Sequence, residues 1–113
     1  MAIPGGELKH GPIALLSEHS PIIAIAPSDS NLNLMESTVR ECKSRGAKVI
    51  LITDHEGPIC QFADLVIQTQ DTHEDLTPFT SIIPLQMLAY KVGVLKGVNI
   101  DRPRNLAKSV TVV

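Results

Sequence analysis

Three short apolar runs set the main constraint on this chain: Pro21 to Pro27 (PIIAIAP), Lys48 to Thr53 (KVILIT) and Asp64 to Gln68 (DLVIQ). Each has the length of a strand, and the β-branched residues follow one another instead of alternating with polar ones. Strands covered on both faces in a parallel sheet carry this pattern, and parallel neighbours need a crossover between them. The chain is therefore expected to be α/β, with helices between the runs.

The segment between the first two runs supplies such a crossover. Leu32, Met35, Val39 and Cys42 recur at steps of three and four, which places one apolar stripe on a helix from about Asn31 to Arg45. Asp29 or Ser30 is expected to cap its start with a side-chain oxygen, and Gly46 to end it in the left-handed backbone region. A second helix is expected over Phe79 to Leu95, packed through Ile82, Leu85, Leu88, Ala89, Val92 and Leu95. Thr77 is its expected cap, Pro78 falls in the first turn, and Pro84 is expected to kink the helix or mark its true start. Gly97 then stops it, dividing the chain into a domain portion, 1–97, and a tail, 98–113. Three strands and two helices are few for a sheet with both faces covered, so the sheet is expected to be incomplete, with an N-terminal part missing or supplied by a partner.

Charge narrows the partners. Ten Lys plus Arg stand against twelve Asp plus Glu, a formal charge of −2, and no basic stripe is available for nucleic acid or an anionic membrane. Cys42 and Cys60 have neither metal-ligand spacing nor the density of a disulfide scaffold, and read as reduced packing residues. No apolar run has the length of a membrane span, and Met1-Ala2-Ile3-Pro4 lacks the features of a signal peptide. A cytoplasmic location is the expectation.

Two segments could carry chemistry. In Gly5 to Pro12 (GGELKHGP), glycines allow close backbone approach to a ligand, Lys9 offers a fixed cation, and His10 offers an imidazole, the side-chain type most used to pass protons. In the tail, Lys108 could act as a nucleophile toward a carbonyl, with Arg102 and Arg104 as a cationic neighbourhood or a phosphate grip. The plainer readings are a solvated turn histidine and a solvated tail lysine. Asp71, His73, Glu74 and Asp75 show no convergence on a metal, and neither a metal nor another cofactor is expected. His19 and His55 have no suggestive neighbours.

Longer stretches carry a resemblance. GELKHGP at Gly6 to Pro12, IPLQMLAY at Ile83 to Tyr90 and DRPRNLAKSVTV at Asp101 to Val112 are together similar to the C-terminus of glucosamine-6-phosphate synthases, the isomerizing glutamine:fructose-6-phosphate aminotransferases of hexosamine biosynthesis. The resemblance implies a three-layer sugar isomerase (SIS) fold, a parallel sheet flanked by helices. It places this chain in the latter part of the second SIS domain, with the tail.

In that family ammonia released from glutamine reacts with fructose 6-phosphate to give glucosamine 6-phosphate. By resemblance, His10 assists sugar ring opening and reaches the site from a neighbouring subunit, Lys108 forms a Schiff base with the open-chain ketone, and Ala107 contacts substrate through its backbone. The family's general-base glutamate, its Ser/Thr-rich phosphate loop and its glutaminase cysteine have no counterpart among the matched residues, and Val113 stands where the family tail usually has glutamate. The isolated chain is accordingly expected to be inactive.

Self-association is expected as well, from an unpaired sheet edge. The alternatives are a non-catalytic sugar-phosphate-binding SIS module and, more remotely, a receiver-like domain with Asp54 as phosphoacceptor. The second lacks the acidic pair that such domains carry after an N-terminal strand.

Overall fold

The computed structural model describes residues 1–104, which divide into two compact units, Met1–Ser81 and a second that begins at Ile82. The first unit holds the sheet. Its strands are β1 (Pro21–Ile25), β2 (Lys48–Thr53) and β3 (Leu65–Gln68), all parallel, in the order β1-β2-β3. Helix α1 (Leu32–Ser44) makes the β1-to-β2 crossover, and α2 (Thr77–Leu95) begins in the first unit and runs into the second.

The α/β class and the parallel sheet expected from the apolar runs are both present. Pairing aligns Ile22 with Val49 and Ala24 with Leu51, while Leu51 also faces Val66. Side chains alternate along a strand, so Ala24, Val49, Leu51 and Val66 share one face. That face carries the core: Ala24, Ala26, Val49 and Leu51 cluster with Val39 and Cys42 of α1, joined by Ala47 and Ile59. Leu32 and Met35 pack on its margin, completing the stripe expected on α1.

Only β2 meets the expectation of cover on both faces, with Leu51 on one side and Ile52 on the other almost wholly buried. The outer strands have one neighbour each. On the face opposite the core, Ile23 and Ile25 of β1 and Leu65 of β3 remain exposed.

Helix ends show where local sequence decides and where it does not. Gly46 adopts φ +80, with its N–H donating to the Lys43 carbonyl at 2.9 Å and the Ala47 N–H reaching the Cys42 carbonyl at 3.2 Å. Gly97 repeats the arrangement after α2, at φ +66, with bonds from Gly97 to Val94 and from Val98 to Gly93. Both are Schellman closures, in which glycine takes the left-handed conformation without a Cβ penalty.

The starts differ from expectation. Asn31 is the N-cap of α1 and makes no side-chain cap bond, while Asp29 Oδ1 accepts from the Asn31 N–H at 2.7 Å, one position before the first turn. Thr77 is the first residue of α2 instead of its cap, and its hydroxyl donates to the Glu74 carbonyl at 2.8 Å. Pro84 lies inside α2, seven residues past the start, so it does not mark the beginning.

A second correction concerns the packing of α2. Leu85 and Leu88 are half-buried, but Ile82, Ala89, Val92 and Leu95 are exposed. The helix is apolar around most of its circumference, so a three-four periodicity picks out no single face.

Asp64, just before β3, ties three elements together. Its Oδ2 accepts from Lys43 Nζ of α1 at 2.6 Å and from the Val49 N–H at 2.8 Å, while Lys48 Nζ lies 3.4 Å from Oδ1. In return, the Asp64 N–H donates to the Val49 carbonyl at 2.9 Å. The Lys43 hydrogen bond, followed by that of the Val49 amide, holds the Asp64 carboxyl well below the usual carboxylate range. A depressed folded-state pKa gives stability that is present above the unfolded value of about 3.9 and is lost as pH falls through the folded value. Asp64→Asn is therefore expected to lower the urea midpoint at pH 7, and the gap between variant and parent to narrow as pH drops below about 4. Urea titrations at several pH values read this directly.

Candidate functional site

The first candidate segment folds as two short 3₁₀ helices, Gly5–His10 and Pro12–Leu15, separated by Gly11 at φ +147. Its apolar residues point to protein, since Leu8 packs on the core margin and Ile13 is buried. Its polar residues Glu7, Lys9 and His10 are exposed. The Glu7 N–H donates to the Pro4 carbonyl and the Ala14 N–H to the Gly11 carbonyl, both at 2.9 Å. A histidine and a lysine are thus displayed in the last turn of a short, internally bonded helix whose base is fixed by packing.

Gly5 explains part of that fixing. Its backbone lies so close to α1 that a Cβ there would collide with Met35 Sδ, and its carbonyl accepts from Thr38 Oγ1 at 3.2 Å. The doubled glycine at positions 5 and 6 was the sequence signal for close approach, but it did not reveal whether ligand or protein makes that approach. At Gly5 the neighbour is α1.

A second cluster lies at the carboxyl ends of the strands, the edge where open parallel sheets commonly bind ligands. Asp54 Oδ1 accepts from the Ser28 N–H at 2.6 Å, joining the turn after β1 to the turn after β2. Beneath it, the buried Thr53 hydroxyl donates to the Ala26 carbonyl at 2.6 Å and accepts from the His55 N–H at 3.1 Å. Cys60 Sγ donates to the His55 carbonyl at 3.3 Å, and the His55 ring lies against Gly57, where a side chain would strike it. These bonds knit the turns to one another. Thr53 and Asp54 were not singled out as a structural pair in the sequence, since a Thr-Asp at a strand end has many uses.

The other candidates are placed as follows. Lys108 and Ala107 lie outside the described residues. Arg102 and Arg104 are exposed, and the Arg102 N–H donates to Asn99 Oδ1 at 2.9 Å. His73 Nδ1 accepts from the Asp75 N–H at 3.3 Å and lies 3.4 Å from Asp75 Oδ2, an exposed turn contact. Among the described residues no group of three or more His, Cys, Asp or Glu is arranged to hold a metal ion. Burial pushes the Cys42 thiol up from its ordinary pKa, reinforced by Glu41 and opposed by Arg45, which keeps it protonated and poorly nucleophilic. No described helix is long and apolar enough to cross a membrane.

The parallel sheet with its crossover helix is an α/β arrangement that many families share, and residues 1–96 match the model of the SIS domain family. The chain belongs to the SIS domain family.

Over almost its full length it is similar to isomerizing glutamine-fructose-6-phosphate aminotransferases. It is 46% identical over 112 residues to that of Thermus thermophilus, covering 98% of this chain and 18% of the relative. The Pyrococcus horikoshii enzyme is 47% identical over 110 residues, covering 97% and 18%. The Brucella abortus enzyme is 48% identical over 109 residues, covering 95% and 18%. Among solved structures, the C-terminal domain of glucosamine-fructose-6-phosphate aminotransferase from Francisella tularensis superimposes with a TM-score of 0.78 at 35% identity, covering 89% of this chain and 29% of that one. The chain therefore spans about 18% of the length of these curated relatives.

Thr53→Val preserves shape but leaves the Ala26 carbonyl and the His55 N–H without partners. The expected cost is about 1–3 kcal/mol of stability, measured by urea denaturation.

Proposed function

We propose that the chain forms part of the isomerase portion of a glutamine-fructose-6-phosphate aminotransferase, contributing two reactive residues to the synthesis of glucosamine 6-phosphate in hexosamine biosynthesis. The observation that carries this reading is the 46% identity over 98% of the chain to such enzymes, joined to a loop that displays His10 in solvent on a packed base.

The division of labour follows from the chemistry of the residues. His10 moves the proton needed to open the sugar ring, a task suited to an imidazole, which has one nitrogen to accept a proton and another to donate one. Lys108, as a neutral amine, adds to the exposed ketone of fructose 6-phosphate and loses water to give an imine, leaving the carbonyl carbon in a form that ammonia attacks. Ala107 contacts the sugar through its backbone. Residues 1–97 are the domain and 98–113 the active-site tail, a division supported by the family match ending at residue 96 and by the Gly97 closure of α2.

The remaining parts of the reading have narrower support. Positioning a reacting sugar takes several groups acting as a unit, so turnover of ammonia by this chain alone is not expected. Self-association is supported by β1 and β3, which are both edge strands of the described sheet. Two free cysteines suit a reducing cytoplasm. No metal or organic cofactor enters the reading, and the formal charge of −2 gives nucleic acid or an anionic membrane no evident hold.

Incubation with fructose 6-phosphate and a borohydride tests the assignment, because reduction converts the imine to a stable secondary amine on the lysine. The expected product carries the hexitol phosphate on the peptide containing Lys108. It is absent in Lys108→Arg and forms about 100-fold more slowly in His10→Asn. Fructose 6-phosphate binding that is indifferent to Lys108→Ala, with no adduct, would favour a non-catalytic sugar-phosphate-binding module.

A further inference from the structure

His10 is exposed, so the backbone that carries it sets its position. That backbone is the six-residue 3₁₀ helix Gly5–His10. At about 2 Å per residue, the two ends of this short helix lie about 10 Å apart, close enough for a shift at Gly5 to be felt at His10. The N-terminal end is held by Thr38, a residue of α1 whose single O–H is shared between the Gly5 carbonyl at 3.2 Å and the Leu34 carbonyl of its own helix at 3.0 Å.

Back-bonding to the carbonyl four residues earlier is ordinary for a helical threonine. The second acceptor is not, because it belongs to a segment 33 residues earlier in the chain. Among the described residues this is the one hydrogen bond joining Gly5–His10 to α1. Thr38 is buried and Gly5 is half-buried, so the bond is partly shielded from water. Packing sets the distance, with Met35 of α1 against Gly5, Leu34 against Gly6, and Leu8 in a groove shared with Met35, Thr38 and Val39.

We propose that Thr38 is a positioning residue for His10, acting through the Gly5 carbonyl to fix the histidine helix on α1. The inference rests on the assignment of His10 made above, and its test separates the two.

Thr38→Val keeps the β-branched shape and removes the donor, whereas Thr38→Ser keeps the donor. Amide hydrogen exchange, followed by NMR, is expected to speed about fivefold at Gly6 to His10 in Thr38→Val, as for loss of one net hydrogen bond of about 1 kcal/mol. Thr38→Ser restores the parent rates, and β2 amides stay protected in both variants, which controls for folding. Sugar capture at Lys108 slows in Thr38→Val with fructose 6-phosphate affinity unchanged, and that slowing vanishes when His10→Asn is already present, because one residue acts through the other.

Unchanged exchange at Gly6 to His10 in Thr38→Val overturns the inference. So does a slowing of capture that persists in the His10→Asn background. An unmodified protein that traps no sugar contradicts the functional assignment itself, and the exchange comparison still decides whether Thr38 holds the helix that bears His10.

Discussion

The pairing of β2 with a parallel neighbour on each side is the constraint on which the sheet unit depends. Its residues Val49, Leu51, Ile52 and Thr53 are almost completely removed from water, and they reach the core, the opposite face and the strand ends in turn. Removing several branched side chains from water is the largest favourable contribution available to a unit of this size, at roughly 1.5–3 kcal/mol for each fully buried aliphatic side chain. Helix α1 is held against this strand through Val39 and Cys42, and the Gly5–His10 helix is held in turn against α1. His10, the histidine proposed to act on the sugar, is thus two packing steps removed from the strand that organises the fold.

Much of this hierarchy was legible because it rests on local signals. Consecutive β-branched residues marked β2 at its observed limits, Lys48–Thr53, and the steps Leu32, Met35, Val39, Cys42 marked the buried side of α1. Gly46 and Gly97 ended their helices as expected, since few other residues take the left-handed conformation readily. The exposure of His10 followed from its place between glycines in a polar stretch. The three segments GELKHGP, IPLQMLAY and DRPRNLAKSVTV pointed to the glucosamine-6-phosphate synthases, and the chain is similar over almost its full length to isomerizing glutamine-fructose-6-phosphate aminotransferases.

What the sequence did not disclose depends on partners distant in the chain. Nothing near Asp64 announced that it would receive Lys43, Lys48 and the Val49 amide, and nothing near Thr38 announced a bond to Gly5. The packing of α2 was misjudged for a related reason. Phe79, Ile83, Met87, Tyr90 and Val94 recur at steps of three and four just as Ile82, Leu85, Leu88, Val92 and Leu95 do, and all five are exposed. With both faces apolar and both largely exposed among the described residues, the periodicity marked a helix without marking a buried side. The tail was read through its resemblance, and Ala107 and Lys108 lie outside the described residues.

The proposed function requires the loop at Gly6 to Pro12 and the tail at Ala107 to Ser109 to serve the same sugar phosphate. Amide proton–nitrogen NMR spectra of the chain with and without fructose 6-phosphate test it most directly. Shifts concentrated in those two segments are expected. Shifts confined to Ser28, Asp54 and His55 at the carboxyl ends of the strands, with the loop and tail unmoved, would contradict it.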